Sequence, residues 1–512
     1  MLKELNLNYL RQSLFGLVVV GLLCSIGMWI LIQRHIETIN GGRVALADPV
    51  AFETEAALTA IRNVSVLSPT GDAFFDNRTV VIDQGRIVSI VADGPVPDGA
   101  RLIDGQGRFL IPGLIDAHVD LRRQPNDLLL YLANGITHVR DLAGQPEDLI
   151  LQGELEAGRV GPSLAVASPR LISAGLIEGG WISMTRPTIN IRHPERAAQR
   201  VRELANEGYD AISIDSRMDL ETFQAISSAA NAIGLHTIGN LPAAFDLDRL
   251  SNTALSELAR SEDLVEGLLG EFAEHAERED PAAFLAHVEE RGAQIADALM
   301  ASDTAVTSTL WFTDTLARQA GDLVGALRDL PLEYANPAMV EGSRYAGVGW
   351  LPGMNRFELP RDLDSARRDR TIAIWQMRNQ AHGILLRELA AGGVPIIAGS
   401  RATAELMIPG FSLHEELKTL NNNGLSPPEV LAAATRVPAA RMGLEAGVIE
   451  SGRPADLLLL RANPLADIAN TRSIEMVIRA GRVFDRPSLD AMLKAVEQAH
   501  ADSRQFELTR YQ

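Results

Sequence analysis

Hydrophobic positions along this chain fall into three regimes. From Leu14 to Ile32 they are continuous: "LFGLVVVGLLCSIGMWILI" runs 19 residues without a charge. At ~1.5 Å per residue such a helix reaches roughly 28 Å, close to the ~30 Å hydrocarbon core of a bilayer. The span 13–33 is therefore expected to be a transmembrane anchor, with a linker over 34–57. A cleaved signal peptide is the alternative, and a small-residue site exists at Ala45-Leu46-Ala47. The apolar run exceeds the usual ~7–15 residues of such a leader, however, and that site lies well beyond its end. Lys3 and Arg11 precede the span while Arg34 and Arg43 follow it. This balance leans toward the N-terminus inside, placing the globular part on the extracytoplasmic (periplasmic) side.

From Ile61 the pattern shifts to short alternating runs broken by Gly and Pro, "IRNVSVLSPTG", "RTVVIDQGRIVSIV" and "ARLIDGQGRFLIPG". These read as strands of a small sheet. From Leu110 to about Met442, strand-like runs alternate with helical ones: "PERAAQRVRELANEG" leads into "YDAISID", and "LETFQAISSAANAIG" into "LHTIGN". Repeated units of this kind predict a parallel sheet covered by helices, and about eight of them a closed barrel. "GVIESGRPADLLLL" and "IEMVIRAGRVFD" return to strands near the end. The expected fold is α/β, a (β/α)8 TIM barrel over 111–442. A small β-sandwich is built from both chain ends, 58–110 and 443–486, and residues 487–512 form a helical tail on the surface. Residues 320–370 are rich in Arg, Pro and Gly and read as an insertion over one barrel mouth.

Charge narrows the partners. The net charge is −19, which disfavours nucleic acid or an anionic lipid surface as the main partner. The one cysteine, Cys24, excludes an intrachain disulfide and a Cys-rich metal site. Lys3, Lys418 and Lys494 are the only lysines, against 44 arginines.

Two segments carry a family likeness. "FLIPGLIDAHVD" resembles the first barrel strand of the amidohydrolase superfamily, and "GLSPPEVLAAATRVPAARMGLEAGVIESGRPADLLLLRANPLADI" resembles its C-terminal segment. "GITHVRDL" and "ERAAQRVRELANEGYDAISI" are similar to units of its imidazolonepropionase and Xaa-Pro dipeptidase-like branch. The resemblance implies a mono- or binuclear metal site at the C-terminal strand ends, where a metal-bound hydroxide attacks an amide or ester carbon. It implies a His-x-His pair on strand one, a carboxylated lysine or carboxylate on strand four, histidines on strands five and six, and an aspartate on strand eight.

Most of those positions are replaced. His118 is present, but its partner is Asp120; Ser213 stands at the lysine position in "AISI". Asn240 replaces the strand-five histidine in "TIGNLP", and His236 lies at the wrong end of that strand. Glu266 and Gly267 correspond to the strand-six pair, and Ser400 and Arg401 to the strand-eight "GTDA". The candidate site is thus His118, Asp120, Asp141 and Arg401. No resident metal is expected; if one binds, it is Zn or Mn held weakly by His118 and Asp120, with Asp116 near. An arginine cannot serve as general base near neutral pH, so Arg401 is expected to supply a positive charge and to pair with Asp120 across the mouth. Asp141 and Glu266 are other candidate partners, and a solvent-pointing Arg401 is the alternative.

No G-x-S-x-G elbow, P-loop or dinucleotide fingerprint is present. A pair between His118 and Ser400 or Ser213 is conceivable. "GGWISM" around Trp181 and the stretch "YAGVGWLPGMNRF" read as loop packing or as pocket lining. The sequence therefore points to a membrane-anchored, catalytically degenerate relative that binds a small-molecule ligand or partner protein. An active hydrolase of C–N bonds with a remodelled site around His118, Asp120 and Asp141 is the alternative.

Overall fold

The alternating runs after Leu58 become strands β1 (Thr59–Leu67), β2 (Phe74–Asp83), β3 (Arg86–Ala92), β4 (Arg101–Asp104) and β5 (Phe109–Pro112). In this computed structural model, residues 2–39, 44–121, 124–173, 188–243, 245–275, 280–343 and 348–511 are described. The β2–β3 turn closes on Gln84 and Gly85, both at positive φ (47° and 78°), the geometry that matches the right-handed twist of its flanking strands.

Strands from the other end of the chain complete this sheet. β16 (Leu457–Leu460), β17 (Ile474–Arg479) and β18 (Arg482–Asp485) extend it in the order β18-β17-β16-β5-β1-β2-β3, with β4 on β1. The junction is antiparallel, Leu459 facing Leu110 and Leu458 facing Ile111. Strand β16 reads "LLLL" because both of its faces are covered. Leu457 and Leu459 enter a core with Ile61, Val80 and Ile478, whereas Leu458 and Leu460 enter the main core. Successive strand residues point to opposite faces, so this one strand belongs to two cores.

Among the described residues, the middle of the chain supplies ten parallel strands. β6 (Leu114–Val119), β7 (Ile136–Asp141) and β8 (Ser163–Val166) form a three-stranded sheet. β9 (Arg170–Ile172), β10 (Thr188–Asn190), β11 (Ala211–Ile214), β12 (His236–Gly239), β13 (Glu257–Leu258), β14 (Ala305–Ser308) and β15 (Ile396–Ala398) form another, in the order β10-β9-β11-β12-β13-β14-β15. The continuous ladders therefore make two parallel sheets. Isolated parallel bridges join the two sheets, Ala167 with Ala211 and Val119 with Ala402. The Arg140 guanidinium on β7 donates to Ala117 O on β6 at 2.9 Å and to Glu257 on β13, which also accepts from Thr307 on β14. Arg140 and Glu257 are each about 4% exposed, so a buried ion pair spans the interior between the two sheets.

Several expectations need correction. The expected strand-six region around Glu266 and Gly267 lies on the helix Glu262–His275; the strand itself is β13, eight residues and more upstream. Acidic Glu262 and Asp263 open that helix, where they complement the dipole of its N-terminus. The tail helix, Arg486–Ser503, is not a surface element throughout, since Leu489, Met492, Val496, Ala499 and His500 are buried. The linker is docked from residue 45: Asn126 Nδ2 donates to Ala45 O at 2.9 Å, and Ala47 N donates to Asn126 Oδ1 at 2.9 Å. Within the insertion, Leu327, Leu332, Met339, Val340 and Trp350 build a core of their own against Leu406 and Met407 beyond β15. At the N-terminus, Leu14–Arg34 is a helical stretch of mean hydropathy 2.5, none of it buried; by length and composition it suits a membrane span or a signal sequence.

Candidate functional site

Parallel strands end together, so residues at and just past their C-terminal ends converge. His118 and Asp120 follow from β6, Ser213 from β11, Asn240 from β12, Ala259 and Arg260 from β13, and Arg401 from β15. All of them line one cavity of about 270 Å³. The expected positions on strands one, four, five and eight are thereby brought together. Gly267 is not among the lining residues; it packs on Leu247 along a different cavity. Asp141 is not a lining residue either. It is buried and accepts from Ala143 N at 2.8 Å, and burial raises its pKa well above the usual carboxylate range, with Asp120 and Asp148 adding repulsion. Trp181 lies outside the described residues.

Arg401 is the centre of the charge arrangement. Its backbone sits at φ 55°, a left-handed conformation that costs a non-glycine residue roughly 1–2 kcal/mol. Arg401 N donates to His118 O at 2.8 Å, and Arg401 closes a turn by accepting from Ala404 N at 2.9 Å. Three residues of this loop share the strain, Arg401, Thr403 and Leu406, and the insertion core holds the last of them in place. The side chain does not point to solvent. It stacks on the Phe312 ring with its central carbon 4.0 Å from the centroid, and Nη1 donates to Glu262 Oε1 at 3.0 Å, both side chains being 18% exposed. The partner expected from the sequence, Asp120, instead lies 4.0 Å from Arg170. Glu266, another expected partner, pairs with Arg378 at 3.1 Å.

Neighbouring groups answer this cation. His118 Nδ1 lies 3.0 Å from Ala259 O, which can only accept, so Nδ1 carries the proton and Nε2 is the basic nitrogen. Burial, then the charges of Arg401, Arg170 and Arg260, hold the imidazole well below its ordinary pKa and therefore neutral. Asp116 is buried under the loop, accepting from Ser400 N at 2.9 Å and Ser400 Oγ at 2.5 Å, and burial pushes it up to about 6. Glu262 is held below the usual range because the pull of Arg401, with lesser help from His382 and Arg260, outweighs its burial. Arg401 itself is lowered to about 10 by burial, then by Arg260. It remains charged across the physiological range.

Neither conceivable serine partner faces His118. Ser400 Oγ is committed to Asp116, and Ser213 Oγ donates to Leu142 O at 2.8 Å. A Ser–His contact does exist between Ser261 and His382 Nε2, with His382 Nδ1 3.0 Å from Thr313 Oγ1, but Ser261 is wholly buried. Asn240 Nδ2 donates to Asp263 Oδ2 at 2.8 Å. The five expected positions thus supply one imidazole, one carboxylate, a hydroxyl and an amide already bonded, and a guanidinium. No group of three His, Cys, Asp or Glu suited to a metal occurs among the described residues. A binuclear metal centre does not fit these side chains.

The model of the amidohydrolase family matches residues 360–484. Adenine deaminase 3 of Rhizobium johnstonii (strain DSM 114642 / LMG 32736 / 3841) is 26% identical over 219 residues, 38% of this chain and 34% of that protein. The chain therefore spans about a third of the length of this curated relative. Among solved structures, bottromycin amidohydrolase superposes with a TM-score of 0.64 at 20% identity, covering 92% of this chain and 96% of that one. A Xaa-Pro dipeptidase with bound methionine in the active site gives 0.58 at 18% identity, covering 83% and 99%. At these identities the likeness of the amidohydrolase structures is one of fold, a mixed α/β architecture shared by this chain.

Residues not singled out from the sequence complete the mouth. Arg170, Arg217, Arg260 and Arg356 join Arg401 in lining it, against only two lining carboxylates, Asp120 and Asp215. Arg217 Nε donates to Asp215 at 2.9 Å, and Arg356 Nη2 to Glu405 at 3.0 Å. The insertion thus does contribute wall, through Arg356.

Proposed function

We propose that this chain is a membrane-tethered amidohydrolase relative that binds a ligand at its strand ends without metal-dependent hydrolysis. One observation carries the reading: the cation at the strand-eight exit is Arg401, anchored by Glu262 and stacked on Phe312. A permanent positive charge there repels a metal ion and cannot accept a proton from water. The parallel strands are taken as a (β/α)8 barrel closed through the Ala167–Ala211 and Val119–Ala402 bridges, carrying the two-ended sheet at its side. The apolar N-terminal helix is taken as a single-pass anchor with the barrel on the periplasmic side.

The test is metal content. The full-length protein, loaded with Zn, Mn or Co and dialysed, is expected to retain close to no metal by elemental analysis. One or two equivalents would overturn the reading. A second reading has its own support in the neutral His118, whose Nε2 is free to accept a proton at the cavity wall. It makes the chain a remodelled hydrolase of C–N bonds, the reaction class named by several of its fold relatives. Turnover of amides or dipeptides, abolished by His118→Ala, would establish it.

A further inference from the structure

A second cavity, of about 410 Å³, adjoins the mouth, and the two share three wall residues: Arg260, Arg356 and Arg401. Their characters differ. The mouth is walled by hydroxyls, guanidinium groups and the carboxylates of Asp120 and Asp215; the second chamber has Phe312, Phe357, Trp375 and Leu316 on one side and the carboxylates of Glu262, Asp263 and Glu266 on its polar side. Phe312 and Phe357 meet edge to face at 6.0 Å between centroids, and Phe357 and Trp375 at 6.3 Å, so the three rings form one continuous aromatic wall. Guanidinium groups cover part of that wall: Arg401 lies over Phe312, Arg356 over Phe357 at 4.8 Å and Arg378 over Trp375 at 5.4 Å.

Stacking fixes where the donors of Arg401 and Arg356 point, and an ion pair holds Arg260. Arg401 commits only Nη1 to Glu262, Arg356 donates through Nη2 to Glu405, and Arg260 through Nη2 to Asp263. A guanidinium has five N–H donors in a rigid fork, so each of the three retains donors beyond its carboxylate. Each of the five mouth arginines has a carboxylate partner, Arg401 with Glu262, Arg260 with Asp263, Arg356 with Glu405, Arg217 with Asp215 and Arg170 with Asp120, so what the mouth holds in excess is N–H donors.

We infer that the two chambers take one amphiphilic anion, its carboxylate head held by Arg401, Arg260 and Arg356 and its flat apolar part against Phe312, Phe357 and Trp375. This rests on the reading of the mouth as a ligand site and adds the ligand's chemical class. The head needs planar, paired donors, which guanidinium forks supply. The tail needs aromatic faces with low cost in ordering, which a wall of packed rings supplies.

The experiment is calorimetry on the full-length chain in lipid nanodiscs, with empty discs as blank. Its probes are 2-naphthylacetate, acetate and 2-naphthylethanol. The acid carrying both parts is expected to bind roughly tenfold or more tightly than either fragment, the span of one charge-assisted hydrogen bond or one buried ring. Arg401→Gln and Arg356→Gln should each weaken it by about that factor, and Trp375→Ala should weaken it while leaving acetate unchanged. Arg356 is 39% exposed, so its variant tests the charge even if loss of Arg401 disturbs folding. Equal binding of the naphthyl alcohol, or no loss in Arg356→Gln, overturns the inference. Acetate binding that the naphthyl group does not improve overturns the two-chamber ligand and leaves the anion-binding mouth standing. No binding by any probe together with retained metal overturns both.

Discussion

A single buried cation sets the energetics of the mouth at the scale of residues. Replacing Arg401 by Met leaves Glu262 in a largely enclosed place without its counter-charge, at a cost of about 2–4 kcal/mol. Adding Glu262→Gln to that variant should recover part of the loss, because an uncharged amide needs no counter-ion. Urea denaturation of the two single variants and the double variant measures the coupling; additive effects would mean the pair is not energetically joined. Gly399 is a second control point. A Cβ there would meet His118 Cβ at 2.5 Å and Thr307 Cγ2 at 3.0 Å, both held on buried strands. Gly399→Ala is therefore expected to lower stability by roughly 1–3 kcal/mol and to displace His118 from the wall. The shift of the His118 imidazole resonances is the direct readout. Much of this was legible beforehand. His118, Asp120, Ser213, Asn240 and Arg401 could be placed from motif residues flanking each strand, and the fold brings them together. Arg401's partner could not be placed, because Glu262 sits past a strand only two residues long. A ladder of that length leaves no hydrophobic run to read, which also explains why the strand-six position was set on a helix. One signal went unused: Arg170, Arg217, Arg260 and Arg401 each follow closely on a parallel strand, a recurrence visible only once the strand ends are known.

Side chains borrowed from one element terminate another at the next scale up. Glu416, on the helix Phe411–Asn422, accepts from Leu310 N at 3.1 Å and Trp311 N at 2.7 Å, satisfying the first amides of the helix Leu310–Gly321, and also accepts from Ser308 Oγ. Burial pushes its pKa up to about 7, against 4.5 for the ordinary side chain, despite those donors. The folded state therefore holds this proton more tightly than the unfolded chain. Its contribution is complete below about pH 4.5 and is lost as pH rises through 7, on the order of 3 kcal/mol in all. Glu416→Gln should remove that slope, so denaturation midpoints at pH 5 and pH 7 should differ less than in the native protein. Strand β16 offers a packing test. Leu459→Ala opens the small core and Leu458→Ala the main one, each at roughly 2–5 kcal/mol. If the two cores unfold independently, thermal melting of the Leu459 variant will split into two transitions; a single lowered transition is expected, since the strand joins both.

For the whole molecule, the sequence conveyed the α/β alternation and the sheet drawn from both ends, because short runs punctuated by Gly and Pro mark its first strands and the continuous apolar run of β16 marks a strand covered on both faces. It did not convey how tightly the ends are tied. The segment expected to be a linker is bonded at Ala45 and Ala47 to Asn126, and the tail helix buries five residues rather than lying on the surface. A chain beginning at residue 45 should therefore keep its fold and leave the membrane fraction, whereas the full chain should sediment with membranes and resist carbonate extraction. Recovery of the full chain in the soluble fraction would count against the anchor.

The pairing of β5 with β16 also imposes an order in time. During synthesis the first five strands emerge early, yet the strand that covers their open edge is made only after every parallel strand is finished. Until then Leu110 and Ile111 present an unpaired, apolar strand edge, the kind of surface that invites pairing with another chain. Contacts closed across so much sequence form late and slowly. The nascent protein should thus depend on a holding factor through most of its translation, and a stop codon placed anywhere before Leu457 should give aggregated material rather than a smaller soluble barrel.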